Sequence, residues 1–420
     1  MTDTILLNRE PAQIMHLDLN SAFATIEQQA HPSLRGKPIG VTNRISRHCC
    51  IIAASYEAKR LGVKVGMNLE QARQIIPEFI ILETDPPKYH YVYQKLMSIM
   101  KSYSPTIKMK SIDEGIIDFH GTLNSIYHQS LETIGQQIKQ QLKEEVGEWM
   151  KLNIGIGPNQ FLAKVAASLH KPDGMDRIDH KNLIKIYRTL KLTDLTGIAS
   201  HYEARLNAIG IYTPIDFLKT SADTLNRRVF HSIIGESWYQ RLRGFEVDNF
   251  NTNLNHIGRQ WTLNQPTNKD SLLLPSFQFL CQTTGKKLRF KNLDARGIMI
   301  WLQFNNGESW YQRKMYKTNF FSDHDIYQKA LYLFNQRPKN MTVMTMGITC
   351  YQLTKSSRNQ ISLLEQVNRD YWLTTAIDSI NEKYGNFKIF SANSLDGTKL
   401  IKQKIPFGGT EYFDLLLQEK

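Results

Sequence analysis

Three carboxylates stand where short apolar runs begin or end. Asp18 lies near the close of the run Ile14 to Leu19. Asp113 and Glu114 sit side by side between Lys108–Ile112 and Ile116–Phe119. Carboxylates brought close repel one another unless cations neutralise them. Donors that are all oxygen favour magnesium over zinc. Two such ions about 4 Å apart can bind both the attacking and the leaving oxygen of an in-line phosphoryl transfer. These residue types therefore suit metal-assisted chemistry on a phosphate. A capping Asp and a solvated Asp-Glu turn would show the same spacing.

Whether the three meet depends on the elements that carry them. Ile14 to Leu19 reads as a short buried strand, and Asn20-Ser21 offers N-cap chemistry to a helix through Phe23, Ile26 and Glu27. Residues 31–85 alternate short apolar runs with basic turns and form a small lobe that Pro86-Pro87 closes. A helix follows through Tyr91, Leu96 and Met100. Then come two strands, with Asp113-Glu114-Gly115 as the tight turn between them. The pattern continues with a helix over about 124–146 and a strand over Leu152–Ile156. After Gly157-Pro158-Asn159 it gives a helix with Leu162, Val165, Ala166 and Leu169 on one face.

With the lobe removed, the order is that of a ferredoxin-like βαββαβ sheet. The first strand and the central hairpin are neighbours in such a sheet, so the carboxylates should converge. Residues 176–248 read as short helices between Gly turns. A second βαββαβ layout spans about 256–355, with Asn306-Gly307 as its hairpin signal. The tail from 356 holds a helix near 366–384. The expected fold class is α+β in several domains.

A chain of 420 residues, 41% hydrophobic and 22% charged, can bury several cores and is not disordered. Its net charge is +13 with His neutral. Residues 251–355 hold fourteen Lys and Arg against five Asp and Glu, over two thirds of the whole surplus. That bias suits a domain lying along a phosphate backbone; a solvated basic surface is the plainer alternative. Cys49, Cys50, Cys281 and Cys350 form no C-x-x-C pair, so neither zinc nor a disulfide framework is expected. No apolar run approaches the roughly 18 residues of a membrane span. The expectation is a cytoplasmic protein with no membrane partner.

Met15-His16-Leu17-Asp18-Leu19-Asn20-Ser21-Ala22-Phe23-Ala24 and Ser111-Ile112-Asp113-Glu114-Gly115 resemble the two signature motifs of the Y-family DNA polymerases of the UmuC/DinB type. Other stretches agree in order. They are His31 to Val41, Tyr56-Glu57-Ala58-Lys59 with Gly62-Val63 and Gly66-Met67, and Gly155-Ile156-Gly157 through Ala163-Lys164 and Ala166 to Ser168 to Lys171-Pro172-Asp173-Gly174. Ile257-Gly258-Arg259 and Ala295-Arg296-Gly297 complete the set, so the likeness runs from about 14 to 355.

The resemblance implies a right-hand polymerase. Its palm would be 1–27 and 86–175, its fingers 28–85, its thumb 176–248 and its little finger 249–355, with a tail over 356–420. It implies nucleotidyl transfer from a deoxynucleoside triphosphate to a primer 3′-hydroxyl on a DNA template that can be damaged, with two Mg2+ ions. By position, Asp18 and Asp113 would bridge the metals. Glu114 would bind the ion that activates the primer hydroxyl, and the Leu19 carbonyl would complete the other. Phe23 would stack under the sugar and exclude a 2′-hydroxyl. Tyr56 and Lys59, at helical spacing, can both reach one triphosphate. Lys171, held extended before Pro172, can meet the same phosphates as a point charge.

Thr196-Gly197-Ile198-Ala199, a helix near 201–209 and Gly210-Ile211 look like a helix-hairpin-helix. The amides around Gly197 and Ala199 would cradle a DNA phosphate without reading sequence. Lys286, Lys287 and Lys314 lead the basic set expected to touch DNA. Gln360-Ile361-Ser362-Leu363-Leu364 resembles the peptide by which bacterial polymerases hold the sliding clamp, with Gln360, Ile361, Leu363 and Leu364 as contacts; a plain helix entry is its rival. The chain departs from the family pattern at Asn20, Ala53, Lys59, Lys108 and Gln160, none of them a metal ligand. Two other functions are open: a polymerase-shaped accessory protein that binds DNA and clamp without catalysis, and a nucleotidyl cyclase on the same palm. A cyclase needs no basic second domain, which weighs against it.

Overall fold

Strand β1 (Ile14–Leu19) is the middle of a five-stranded sheet in the computed structural model. It pairs antiparallel with β6 (Glu114–Asp118) on one side and with β7 (Leu152–Gly157) on the other. Beyond β6 lies β5 (Ile107–Met109). Beyond β7, in parallel, lies β8 (Met175–Arg177). The order β5-β6-β1-β7 is the ferredoxin-like arrangement, with β8 added at the edge. The described residues are 5–45, 49–121, 129–249, 254–356, 365–385, 388–395 and 397. They divide into two compact units, which part at 250/251.

Both faces of the first sheet are covered, and glycines set how closely. On the Leu17 face lie the helices Pro86–Tyr103 and Leu131–Glu145; a Cβ on Gly115 would meet Met100, and one on Gly135 would meet Met175. On the face that carries His16 and Asp18 lies the helix Gln160–Leu169. A Cβ on Gly155 would fall 2.0 Å from the Ala163 carbonyl, and one on Gly157 would fall 2.5 Å from the Ala163 nitrogen. Only glycine lets this helix lie directly on β7. Asn159 caps it, its side chain accepting from the Leu162 amide.

The lobe is a three-stranded sheet with β2 (Ile39–Thr42) between antiparallel β3 (Ile51–Ala54) and parallel β4 (Ile80–Glu83). Ser55 after β3 caps the short helix Tyr56–Arg60 by accepting from the Ala58 amide. Residues 178–242 are mainly helical and share a core with the outer side of Gln160–Leu169, built on Phe161, Leu162, Phe217, Leu225, Val229 and Trp238.

The second unit is a four-stranded antiparallel sheet, order β11-β10-β12-β9: β9 (His256–Thr267), β10 (Leu293–Phe304), β11 (Ser309–Phe320) and β12 (Val343–Lys355). The helices Asp270–Phe290 and Asp323–Phe334 pack on the face bearing Ile298, Ile300 and Leu302. Its chain order is the expected βαββαβ, but here the last strand lies between the first and second. The tail helix Glu365–Tyr384 belongs to this unit. Buried Arg289 binds it, donating to both Asp378 oxygens at 2.6 and 2.9 Å and to Asp323 at 2.7 Å.

Three local expectations are corrected. Glu114 is the first residue of β6, not part of the turn, because its backbone completes the pairing opposite Asp18. The helix expected over about 124–146 starts, among the described residues, at Leu131, where Ser130 caps it; 124–128 lie outside them. Ser21 makes no side-chain cap: it lies in the left-handed region at φ 47°, and its hydroxyl is engaged elsewhere.

Candidate active site

Asp18 and Glu114 are directly paired across β1 and β6, so their side chains leave the sheet together at one strand end. The Lys171 ammonium lies 2.7 Å from Asp18 Oδ2, and the Lys164 ammonium 2.7 Å from Glu114 Oε2. Asp113, one residue earlier in the turn, accepts from the Ser111 hydroxyl. Its carbonyl accepts from the Leu19 amide at 2.8 Å, which ties the turn to β1. Asp18 and Glu114 are thus brought together, Asp113 lies in the adjoining turn, and each of the three carboxylates has a donor.

Their electrostatics differ. Burial raises the Asp113 pKa, the Ser111 hydrogen bond opposes this, and the charges of Asp18 and Glu114 add to the rise. Burial works against the Glu114 carboxylate as well, but the His16 ring nitrogen close by, the Lys164 hydrogen bond and the Lys164 charge outweigh it and hold the pKa at about 2. Buried His16 is two residues before Asp18 on the same strand face, and its Nε2 lies 3.3 Å from Glu114 Oε2. Ligand atoms of His16, Asp18 and Glu114 lie within 4.8 Å of one another, close enough to serve one cation.

The nucleotide-side residues gather beside Asp18. Phe23 stacks on buried Tyr89, centroids 4.6 Å apart, and the Tyr89 hydroxyl donates to Glu27 at 2.7 Å. The Phe23 ring is therefore backed by a fixed partner. Lys59 donates to Ser21 Oγ at 2.7 Å and lies 4.9 Å from the Tyr56 ring centroid. Burial, then the Lys171 charge, lower the Lys59 pKa; burial and the Asp18 charge push the Tyr56 phenol up to about 12. Asn20, where the family often has a second Asp, is buried, and its Oδ1 accepts from the Asp173 amide at 2.7 Å. That bond pins the segment bearing Lys171, whose bond to Pro172 is cis. Gln160 is likewise structural, its side chain donating to Asn249 at 2.7 Å.

The other expected site residues belong to the helical part of the first unit and to the second unit. Gly197 has φ 101°, and Ala199 precedes the helix Ser200–Asn207 without a side-chain cap, so the first amides of that helix receive no such acceptor. In the second unit, Lys286 and Lys287 belong to the helix Asp270–Phe290. Lys286 lines a cavity of about 280 Å³ with Arg289, Asp323 and Asp378. Lys314, paired with core-facing Ile298, lies 4.4 Å from the Tyr332 ring centroid on the helical side. On the opposite face Tyr311, Arg313, Met315 and Lys317 are exposed. There the Trp301 ring covers Gly347 and the Tyr351 ring covers Gly297, so that a Cβ on either glycine would collide with the ring. Gln360, Ile361, Leu363 and Leu364 lie outside the described residues.

His16, Ser111 and Lys164 received no role from the sequence, and Ser21 only that of a cap. Strand periodicity puts His16 on the Asp18 face, but an apolar-flanked histidine more often fills a core. Lys164 reaches Glu114 only because Gly155 and Gly157 let its helix descend onto the sheet.

Two family models match the chain: the impB/mucB/samB family over residues 17–168 and its C-terminal domain over 254–363. The chain belongs to this family, the UmuC/DinB type of Y-family DNA polymerase. Among curated proteins it is 29% identical to DNA polymerase IV of Moorella thermoacetica, over 92% of this chain and 97% of that one. It is 26% identical to DNA polymerase IV 1 of Bacillus subtilis, over 95% and 96%. Among solved structures it resembles a Y-family DNA polymerase chimera, Dbh-Dpo4(243-245)-Dbh, with TM-score 0.70 at 24% identity, over 81% of this chain and 98% of that one. An insertion ternary complex of Dbh DNA polymerase gives TM-score 0.57 at 24% identity, over 80% and 98%. The likeness to these structures is one of fold.

The Lys164–Glu114 pair has a pH signature in metal-free protein. A folded-state pKa of about 2, below the ordinary 4.5, gives stability that is complete above pH 4.5 and lost as pH falls toward 2. Lys164→Met should therefore be less stable than the parent above pH 4.5, with the gap closing at lower pH. Denaturant unfolding between pH 3 and 7 in the presence of a chelator measures it; a pH-independent gap would assign the effect to packing.

Proposed function

We propose that this DNA-directed DNA polymerase extends a primer 3′-hydroxyl by two-metal nucleotidyl transfer and carries synthesis past damaged template bases. It works at low fidelity in the cytoplasm, on primer–template DNA and deoxynucleoside triphosphates. The observation that carries the mechanism is the meeting of Asp18, Asp113 and Glu114 at one strand end, with Tyr56, Lys59 and Lys171 beside Asp18. The donor set fits two hard divalent ions, Mg2+ by preference: three carboxylates and the Leu19 carbonyl would hold them, and ammonium groups offset part of that charge here. When bound, the ions lower the pKa of the primer hydroxyl and offset charge on the phosphates. Lys59, Tyr56 and Lys171 bind the triphosphate. Phe23, backed by Tyr89, excludes a 2′-hydroxyl.

Primer extension tests this directly. Asp113→Asn should fall to background with Mg2+ while primer–template binding persists, because a neutral amide cannot anchor the ions. Phe23→Ala should admit ribonucleotides while deoxynucleotide use falls less. If Asp113→Asn stays active, the metal assignment fails; a wild type that binds DNA and extends nothing is the accessory protein.

The second unit grips DNA, and we place the duplex on the face of Arg313 and Lys317. Flat rings over Gly347 and Gly297 leave that face smooth, whereas Lys314 covers Tyr332 and Lys286 lines a cavity beside the tail helix. The amides at Gly197 and Ala199 hold a further phosphate. Replacing Arg313 and Lys317 with Ala should lower the log–log salt slope of binding by roughly two units, about one per lost contact, on any sequence. A matching loss in a Lys286→Ala/Lys287→Ala/Lys314→Ala variant instead would put the duplex on the helical side.

Gln360, Ile361, Leu363 and Leu364 hold the sliding clamp in this proposal. A tether raises effective concentration without adding a contact at the active site. Gln360→Ala with Leu363→Ala should leave unaided extension intact and abolish stimulation by a loaded clamp; unchanged stimulation makes the peptide structural.

A further inference from the structure

His16 is an odd residue for its place. It is 1% exposed, beneath the carboxylates, paired with Ile116 on one side and Gly155 on the other. A leucine or phenylalanine would fill such a site without a polar atom to satisfy. Nδ1 has no hydrogen-bond partner among the described residues, and a buried polar atom left so costs free energy. Nε2 faces Glu114 Oε2 at 3.3 Å, within ion-pair range but without the alignment of a good hydrogen bond. Lys164 Nζ, on the helix Gln160–Leu169, meets the same oxygen at 2.7 Å. Both nitrogens thus converge on Oε2, and no hydrogen bond from either to Oε1 is present among the described residues.

We infer that His16 is a positioning residue: together with Lys164 it fixes Glu114 Oε2 and so leaves Oε1 as the oxygen presented to a divalent cation. The inference rests on the two-metal reading above and adds the reason Glu114 has one orientation. Glu has three rotatable bonds, and at the end of a strand nothing else described restrains its carboxylate. A lysine alone is a poor restraint, because its stem is as flexible as the glutamate it holds. The imidazole is rigid, buried and carried by the same strand as Asp18, so it locks the distance between two ligands of one site. Partners of this kind, one bond removed from a metal, orient the ligand and are commonly worth ten- to a hundredfold in metal affinity.

The test separates orientation from packing. His16→Leu keeps the bulk and removes the N–H, while His16→Gln restores an N–H near the place of Nε2. Mn2+ binding to the protein–primer–template complex, read by paramagnetic resonance with no nucleotide present, reports the site without turnover. A Mg2+ titration of primer extension reports it with turnover. His16→Leu should weaken Mn2+ binding about tenfold and raise the half-saturating Mg2+ by a similar factor. Its melting temperature and primer–template affinity should hold, and His16→Gln should recover most of the loss. Lys164→Gln should shift the same two readouts, and the double variant should lose less than the product of the single losses. His16→Leu with wild-type Mn2+ binding, or losses that follow melting temperature and are not recovered by Gln, make His16 a core residue and overturn the inference. Should His16→Leu not fold, His16→Met, which likewise lacks the N–H, takes its place alone and combined with Lys164→Gln: wild-type Mn2+ binding in the single variant, or fully independent effects in the double, overturns the inference. A wild type that binds no Mn2+ and extends no primer sinks the two-metal reading too, whereas normal wild-type behaviour with an indifferent His16→Leu sinks only the role of His16.

Discussion

Two carboxylates that leave paired strands side by side, with a third in the adjoining turn, cannot share that space as bare anions. At an effective dielectric near 20 a pair of unit charges 4 Å apart repels by about 4 kcal/mol. The site lowers that repulsion without a metal in three ways. Asp18 has Lys171, Glu114 has Lys164 and His16, and Asp113 is buried on Ser111, where burial favours its neutral form. The two lysines come from opposite ends of one segment, 164 to 171, so a single helix and its exit loop neutralise both strands. Much else in the first unit follows from getting that segment close enough. Gly155 and Gly157 strip β7 of side chains, Asn159 starts the helix, and Asn20 fastens its exit through the Asp173 amide.

The same arrangement makes the site asymmetric. Glu114 is held as an anion by two nitrogen groups on one oxygen, while Asp18 is held by one flexible ammonium. Lys171 also faces Lys59, whose ammonium is partly desolvated and leans on the Ser21 hydroxyl. Three positive or polar groups therefore crowd the Asp18 side with one carboxylate between them. That is an arrangement suited to a polyanion such as a triphosphate, which would relieve the mutual repulsion of the lysines. The Glu114 side is more nearly balanced, which suits the neutral primer hydroxyl that the proposed reaction would bring there.

How far this could be read from sequence depended on whether a local rule was enough. The carboxylates were legible, because alternation in β1 and a hairpin in a βαββαβ order bring them together on any such sheet. The helix start after Asn159 was legible from its Gly-Pro-Asn turn, whereas capping chemistry alone misread Ser21, whose left-handed backbone takes its hydroxyl elsewhere. Tyr56, Lys59 and Lys171 came from motif likeness, since nothing in their local spacing says that a lobe and a palm will face each other. His16 and Lys164 were in plain view in quoted motifs, yet their role depends on two glycines that set an interlayer distance, a tertiary quantity. The face of Lys314 was hidden for another reason. Strand β11 is a nearly all-exposed edge strand, so it lacks the apolar alternation that tells one face from the other.

The two sheets show how one chain order serves opposite ends. In the first, the third strand lies against the first, so short central strands end together and concentrate side chains at a point. In the second, the last strand is inserted between the first and second, and the strands run to 12 or 13 residues. Long paired strands gather nothing at their ends; they spread side chains along a face. Glycines on that face act as floors for Trp301 and Tyr351, which lie down across them and keep the surface flat. Chemistry on one phosphate needs a point, whereas a grip that is indifferent to sequence needs a length of surface with charge along it. Strand order and strand length, more than any single side chain, decide which of the two a βαββαβ unit can provide.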